Sequence, residues 1–320
     1  MSPVDLTDPA VEPTVAVIGG GVIGSGWILH FLRMGLDVRA FDPVPAVRER
    51  LPQTIESFWP LMEEMGLRPG ASPQKLRVAA MLEEAVADAD AVQEAVPEVL
   101  EAKQELFATL DRHTPEGTVL LSSTSGLSMT AIQERCRRPE RTVVGHPFNP
   151  PYLVPLVEVL AGERTDPAIA DWAVDFYARY DKRPLKLDRY VPAFIASRLQ
   201  EAMWREALHM IKEGEATVEQ IDSSVCDGPG LRWAITGPIM NFHLAGGEGG
   251  IAHVLEHFGP TLAEPWTRLQ APELDDELQR RLIEGCEREA GGRSVAEMVL
   301  ERDRALLAIM RARAQFGAGQ

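Results

Sequence analysis

The sequence has few cysteines and few aromatic residues, and it has no long apolar run. Its three cysteines, Cys136, Cys226 and Cys286, are far apart and match no metal-ligand spacing, which is typical of plain thiols in a reducing compartment. No segment approaches the roughly 18 apolar residues of a transmembrane helix, and the acidic first residues do not resemble a signal peptide. The sequence therefore predicts a cytoplasmic protein that neither crosses a membrane nor binds a metal.

Basic residues are also scarce relative to acidic ones. The 320 residues include 32 Lys and Arg against 48 Asp and Glu, which gives a formal net charge of −16 at pH 7. This charge disfavours nucleic acids and anionic membrane surfaces as partners and leaves a small molecule as the expected ligand. Hydrophobic residues at 45% and charged residues at 25% are ordinary for a globular protein, and the length allows two domains.

A glycine-rich turn follows the first apolar segment. Gly19, Gly21 and Gly24 form a G-x-G-x-x-G pattern at the start of a predicted helix. In a dinucleotide-binding turn these glycines permit the tight turn, let the backbone approach the pyrophosphate, and let helix and strand pack closely. Asp42 ends the next predicted strand, where a carboxylate accepts hydrogen bonds from the ribose and repels a 2′-phosphate. The pattern therefore predicts an NAD cofactor in preference to NADP.

Strand-like and helix-like segments alternate through the first part of the chain. The predicted strands are residues 14–18, 37–41, 75–80, 90–96, 118–122, 142–146, 155–160 and 184–187. The alternation predicts an α/β fold with an N-terminal Rossmann-type doubly wound sheet, whose ligands lie at the carboxyl ends of the strands. Since no strand-like run follows Asp188, we expect an NAD-binding domain at residues 1–190 and an all-helical C-terminal domain at residues 191–320.

The predicted helical domain carries apolar residues at helical spacing. Its first helix is predicted over residues 193–213 and its last over residues 294–316. The apolar stripes favour a homodimer interface, so we expect this domain to serve both substrate binding and dimerisation.

His146 ends one predicted strand, and Glu158 lies twelve residues later within the next. A lone carboxylate in an apolar strand is costly to bury unless it is paired or protonated, and an imidazole on the neighbouring strand is a natural partner. A histidine oriented by a carboxylate can act as a general base. Alternatively, the pair only ties two strands together.

Three further polar residues lie near predicted strand ends. Glu98 and Lys103 stand near the start of one helix and could form a solvated ion pair, while Ser125 could be a helix cap. Taken singly, each of these residues favours a structural interpretation.

Taken together, the motifs resemble the 3-hydroxyacyl-CoA dehydrogenase family along the whole chain. The matching segments are the glycine-rich turn, Glu94-Ala95-Val96-Pro97-Glu98, Ser123-Thr124-Ser125, His146-Pro147-Phe148-Asn149-Pro150 and Leu156-Val157-Glu158-Val159. The resemblance implies an NAD-dependent dehydrogenase that oxidises the 3-hydroxyl group of a small-molecule substrate.

The resemblance also implies roles for individual residues. His146 would be the general base, Glu158 its orienting partner, and Ser125 a hydrogen-bonding group for the substrate oxygen. The residues that it places along the cofactor are Asp42, Glu98, Lys103 and Asn149. Where the family commonly has an asparagine near the substrate, this chain has Ser197, whose side chain has a shorter reach.

Within the family, the chain is most similar to members whose substrate carries a quaternary ammonium group. Such a group cannot donate N–H hydrogen bonds, so aromatic ring faces suit it better than carboxylates alone. The candidate rings, in order, are Phe148, Tyr152, Trp233 and Phe242. Three alternatives stay open: a 3-hydroxyacyl-CoA substrate, a 3-hydroxy sugar acid, and a non-catalytic NAD-binding protein.

Overall fold

An eight-stranded sheet forms the centre of the first part of the chain in the computed structural model. Its strands are β1 (Val15–Ile18), β2 (Val38–Phe41), β3 (Leu76–Val78), β4 (Ala91–Glu94), β5 (Val119–Ser122), β6 (Thr142–Pro147), β7 (Leu156–Ala161) and β8 (Arg183–Lys186). They lie in the order β3-β2-β1-β4-β5-β6-β7-β8, and each neighbouring pair is parallel except β6 with β7. The predicted fold class and all eight predicted strands are confirmed.

The structure describes residues 3–6, 8, 11–234, 237–259, 267–268, 273 and 275–317. The chain divides into two units, residues 1–197 and 198–320. The boundary predicted near Val191 stays a prediction. No helix in the described part of the chain is both long enough and apolar enough to cross a membrane.

Helices connect the strands of the first unit. They are α1 (Val22–Arg33), α2 (Pro45–Met65), α3 (Leu82–Val86), α4 (Leu100–His113), α5 (Met129–Ile132) and α6 (Pro167–Arg179). Local sequence sets several of their ends. Asp166 caps α6 by accepting the N–H of Ala168, while Gly35 follows α1 with a φ of 87°, a conformation that glycine adopts without strain.

In the described residues of the second unit, the regular structure consists of helices and includes no strand. The helices after β8 are α7 (Ala196–Lys212), α8 (Val218–Cys226), α9 (Pro229–Trp233), α10 (Pro238–Ala245), α11 (Gly250–Phe258), α12 (Asp276–Ala290) and α13 (Val295–Gly317). The predicted last helix, residues 294–316, is confirmed within one residue at each end.

The start of the predicted helix at residues 193–213 is wrong. Ala193 and Phe194 have φ values of 58° and 52°, in the left-handed region, so a right-handed helix cannot include them and α7 begins at Ala196. Phe194 is fully buried in the core of the first unit rather than on a helix face. The turn that it forms reaches the candidate site described next.

Candidate active site

The antiparallel pairing of β6 with β7 places His146 directly opposite Glu158. The Nδ1 atom of His146 lies 2.9 Å from Oε2 of Glu158, and the exposed fractions of the two side chains are 6% and 0%. The other carboxylate oxygen, Oε1, accepts the backbone N–H groups of Ile195 and Ala196 at 3.0 and 3.1 Å. The turn at Phe194 therefore supplies two donors that the sequence did not indicate.

These hydrogen bonds fix the charge of Glu158. Burial opposes its ionisation, but hydrogen bonds from His146, Ala196 and Ile195 outweigh burial and hold the pKa of Glu158 below its ordinary value. The ionised Glu158 accepts a hydrogen bond from the N–H at Nδ1 of His146. The arrangement leaves Nε2 of the imidazole as the atom that can take a proton from a substrate.

Two aromatic rings pack against His146. The centroid of the Phe148 ring lies 4.9 Å from that of the imidazole at an interplanar angle of 60°, and the Phe194 ring lies at 5.3 Å. Phe148 is half-buried and follows β6 directly, whereas Phe194 is completely buried. The structure thus brings Phe148, His146 and Glu158 together, as expected if the substrate binds beside the histidine.

The glycine-rich turn has the geometry of an anion cradle. Gly19 has a φ of 105°, and a Cβ on Gly24 would lie 1.8 Å from the carbonyl oxygen of Gly19, so neither position accepts a side chain without a shift. A Cβ on Gly21, by contrast, would meet nothing within 4 Å. Helix α1 starts after Gly21 with no side-chain cap and no acidic residue in its first turn. The N–H groups of its first turn therefore have no capping side chain and suit a pyrophosphate.

A cleft of about 880 Å³ opens beside this turn. Its lining includes Gly19, Gly21, Asp42, Val44, Val96 and Leu106. Asp42 is held in place, since Oδ2 accepts the N–H of Gly20 and Oδ1 that of Val44, each at 2.8 Å. Apolar walls, one fixed carboxylate and uncapped N–H groups match the adenine, ribose and pyrophosphate of NAD.

Lys103 is not part of a solvated ion pair, so that alternative is wrong. Its side chain is 1% exposed, and Nζ lies 2.6 Å from Glu94, which is completely buried, and 3.4 Å from Glu98. Nζ also donates to the carbonyl of Val96 at 3.2 Å. Glu94 was quoted above only as part of a motif and was given no role. Its signal in the sequence is the same as that of Glu158, a lone carboxylate in an apolar strand. Direct contact of Lys103 with the cofactor stays a prediction, and its three acceptors favour an indirect role.

Glu98 organises the loop that carries Ser125. Its Oε1 accepts the hydroxyl of Thr124 at 2.5 Å and the N–H groups of Ser125 and Gly126 at 3.0 and 3.1 Å. Burial opposes the ionisation of Glu98, but hydrogen bonds from Thr124 and the charge of Lys103 lower its pKa. Ser125 is exposed, and the cap of α5 is Ser128 instead, so the helix-cap interpretation of Ser125 is wrong.

The remaining predicted site residues lie in different surroundings. Asn149 is exposed after β6, and Ser197 is half-buried next to Ala196 in α7. Tyr152 is only 6% exposed and packs against Phe58 of α2, with 5.9 Å between ring centroids. Trp233 ends α9 in the second unit and is partly exposed. Their contacts with substrate or cofactor stay predictions.

One group of possible metal ligands occurs in the described part of the chain, although the sequence predicts no metal site. His253, Glu256 and His257 lie on α11 in a His-x-x-Glu-His pattern, with ligand atoms within 4.8 Å of one another. All three side chains are exposed, and we assign no metal to them.

The fixed carboxylate of Asp42 gives a first testable expectation. Asp42→Ala should lower kcat/KM with NAD by about 10- to 100-fold, which corresponds to the loss of a charge-assisted hydrogen bond. The ratio of kcat/KM with NAD to kcat/KM with NADP should fall as well. Arg48 of α2 donates to the carbonyl of Asp42 at 2.6 Å and is the nearby cation that a 2′-phosphate would meet. The measurement is kcat/KM with each cofactor.

Asp37→Ala is the matched control, because Asp37 is exposed at the opposite end of β2. Its ratio of kcat/KM values for the two cofactors should equal that of the wild type. An unchanged ratio in Asp42→Ala as well would refute the assignment of Asp42 to the ribose.

Family comparisons cover both parts of the chain. The family described as 3-hydroxyacyl-CoA dehydrogenase, NAD binding domain, matches residues 14–190. The family described as 3-hydroxyacyl-CoA dehydrogenase, C-terminal domain, matches residues 194–284.

Curated relatives and a solved structure are similar over nearly the whole chain. A protein of Streptomyces griseus subsp. griseus named L-carnitine dehydrogenase is 57% identical over 298 residues, which are 93% of this chain and 89% of the relative. One of the same name from Streptomyces coelicolor is 54% identical over 312 residues, 98% of each chain. The structure of 5-formyl-3-hydroxy-2-methylpyridine 4-carboxylic acid 5-dehydrogenase, an NAD⁺-dependent dismutase, matches with a TM-score of 0.80 and 26% identity, over 95% of this chain and 99% of that one.

Proposed function

Because the chain belongs to the 3-hydroxyacyl-CoA dehydrogenase family and is an NAD-dependent dehydrogenase, we propose that it oxidises the 3-hydroxyl group of L-carnitine to 3-dehydrocarnitine. The observation that carries the proposal is the contact of 2.9 Å between His146 and Glu158. It stands at the same carboxyl edge of the sheet as the turn after β1, because β1, β4, β5 and β6 are mutually parallel. The relatives named L-carnitine dehydrogenase support the choice of substrate.

The residues divide the chemistry of the oxidation among them. Nε2 of His146 takes the hydroxyl proton, and the ionised Glu158 stabilises the imidazolium that forms. Asp42 and the backbone at Gly21 would hold NAD, which would supply the acceptor for the hydride of the substrate carbon. Ser125 donates a hydrogen bond to the oxygen as it becomes a carbonyl, with its loop held by Glu98.

Phe148 is the ring best placed for the trimethylammonium group. It is half-buried and touches the imidazole of His146, whereas Tyr152 is buried against Phe58 and offers little of its surface. The ring face attracts a cation and packs against its methyl groups, a contact worth about 0.5–2 kcal/mol.

A substrate panel tests the proposal and the recognition of the cation together. The panel consists of L-carnitine, D-carnitine, L-gulonate, 3-hydroxybutyrate, 3-hydroxybutyryl-CoA and the analogue of L-carnitine with an uncharged tert-butyl group. NADH formation should be fastest with L-carnitine, and the neutral analogue should have a kcat/KM lower by about 2- to 30-fold. Phe148→Leu should reduce this ratio between L-carnitine and its neutral analogue.

Other results of the panel have definite meanings. A preference for the CoA ester or for L-gulonate would replace the proposed substrate, and NADH formation with none of the compounds would contradict the proposal. Equal kcat/KM values for L-carnitine and its neutral analogue would show that the pocket recognises the shape of the trimethylammonium group and not its charge.

We further propose a cytoplasmic homodimer. Apolar side chains of the second unit are exposed in the single chain, and they include Leu231, Ile239, Phe242 and Leu244. Such side chains favour burial against a second copy. The three free thiols, Cys136, Cys226 and Cys286, fit a reducing compartment.

A further inference from the structure

Lys182 is a buried lysine just before β8. Its exposed fraction is 5%, and no carboxylate pairs with it in the described part of the chain. Its Nζ donates to the backbone carbonyls of Pro151 and Val154, the latter at 3.0 Å, and lies 5.1 Å from the centre of the Trp27 ring. Because a buried ammonium group without a counter-ion lowers the free energy of unfolding, its presence here calls for a role beyond stability.

The two carbonyls belong to the loop at residues 148–155, which joins β6 to β7. The loop starts at Phe148, in contact with His146, and it is turned by N–H groups of Leu153 and Val154 that donate to the carbonyl of Pro150 at 3.0 and 2.9 Å. Lys182 therefore holds the backbone of the segment that follows the catalytic histidine.

Helix α1 holds the same loop from another side. A Cβ on Gly26 would lie 2.6 Å from Cδ of Pro151, so the loop packs directly on the helix backbone. Gly26 and Trp27 belong to the helix that starts at the glycine-rich turn. The loop thus contacts both the cofactor-binding helix and the side-chain nitrogen of Lys182.

The charges around Lys182 come from several elements. Arg33 and His30 lie on α1, Asp181 precedes Lys182, and Arg68 pairs with Asp181 at 2.8 Å. Burial and the charge of Arg33 lower the pKa of Lys182 to about 7. Burial also lowers the pKa of His30 well below its ordinary value, and the charge of Lys182 adds to this, so the imidazole is neutral and carries no charge toward Lys182.

We propose that Lys182 is a positioning residue of the dehydrogenase, whose side-chain N–H donors fix the loop at residues 148–155 so that Phe148 and His146 keep their relative geometry. The inference rests on the proposed function only in assigning the substrate to His146. A displaced loop misplaces groups at the reacting centre, and a misplacement of about 1 Å can lower the rate about 100-fold.

Lys182→Met tests the proposal, since methionine keeps much of the apolar stem and removes the donors. We expect kcat/KM to fall by about 10- to 100-fold, with the dissociation constant of NADH changed less than about 3-fold. Lys186→Met is the matched control, because Lys186 is exposed on β8 and pairs with Asp171 away from the loop. It should behave as the wild type in both measurements.

Hydrogen–deuterium exchange separates loop positioning from general destabilisation. In Lys182→Met, exchange should rise in residues 148–155 and stay unchanged in β1 and α1. Gly26→Ala displaces the same loop without touching Lys182, so it should reproduce both the fall in kcat/KM and the local exchange. It also keeps the proposal testable if the lysine variant does not fold. Unchanged kcat/KM in Gly26→Ala, or a uniform rise in exchange in Lys182→Met, would overturn the proposal.

The pH dependence of stability adds a readout that needs no substrate. The ordinary pKa of lysine is 10.5 and that of Lys182 is about 7, so between these values the unfolded chain binds more protons than the folded one. The free energy of unfolding of the wild type should therefore rise with pH in this window relative to that of Lys182→Met. A constant difference between the two proteins would refute the burial of this lysine against the loop.

Failure of the proposed function has a different signature. If the wild type prefers another compound of the panel, kcat/KM for that compound replaces the value for L-carnitine, and the exchange and stability measurements stand unchanged. The positioning role of Lys182 is then judged from the exchange in residues 148–155 and from kcat/KM of the variants with the preferred compound.

Discussion

His146→Ala should slow turnover with L-carnitine by about 10²- to 10⁴-fold, the usual range for a lost general base. NADH should still bind nearly as tightly, because the cleft at the glycine-rich turn does not include the histidine. The measurements are kcat under saturating substrate and the dissociation constant of NADH. His113→Ala, on an exposed residue at the end of α4, should leave both values unchanged.

Glu158→Gln tests whether Glu158 orients the imidazole of His146, because it leaves the histidine itself in place. The amide would place a donor next to Nδ1 of His146, which favours the tautomer with the proton on Nε2 and removes the base from the substrate side. The variant should therefore approach the rate of His146→Ala although the histidine is present. Near-normal turnover in His146→Ala would show that another group takes the proton.

Lys103→Met should lower the free energy of unfolding by about 3–5 kcal/mol, the cost of leaving one member of a buried ion pair without its partner. Glu94 would keep a carboxylate at 0% exposure with the hydroxyl of Ser122 and the N–H of Val96 as its remaining donors. Urea unfolding at neutral pH provides the measurement.

Lys186→Met is the control for this loss of stability. Lys186 pairs with Asp171 on the surface, and such exposed pairs contribute about 0–1 kcal/mol. In the double variant Lys103→Met, Glu94→Gln, much of the lost stability should return, because no buried charge remains unpaired. A loss below about 1 kcal/mol in Lys103→Met would mean that the pair is not buried as a charged unit.

Local patterns in the sequence predicted the sheet and the pairing of His146 with Glu158 in the candidate site. Short apolar runs followed by glycine or proline identify buried strands, and the lone carboxylate at Glu158 indicated a partner on the adjacent strand. The G-x-G-x-x-G spacing predicted the cradle at Gly21 because each glycine meets a local steric requirement. These inferences depend on neighbours in the chain, so one sequence is enough to make them.

The inferences that failed depend on contacts between distant segments. Lys103 appeared solvated because a charged residue near a helix start is usually exposed, and only the packing of α4 on the end of β4 buries it with Glu94. Phe194 fits a helical stripe, yet its burial in the core imposes a left-handed turn before α7. The N–H groups of that turn complete the hydrogen bonding of Glu158.

The single antiparallel pairing in the sheet makes the proposed catalytic dyad a local structure. The loop that joins the strands of His146 and Glu158 has eight residues, 148–155, whereas parallel neighbours would need a crossover of about a dozen or more. Such a hairpin has low contact order and can form its pairing without waiting for distant segments. The same direct pairing of neighbouring strands makes the dyad sensitive to insertions and deletions within β6 or β7. A shift of β7 by a single residue would turn the carboxylate to the opposite face of the sheet.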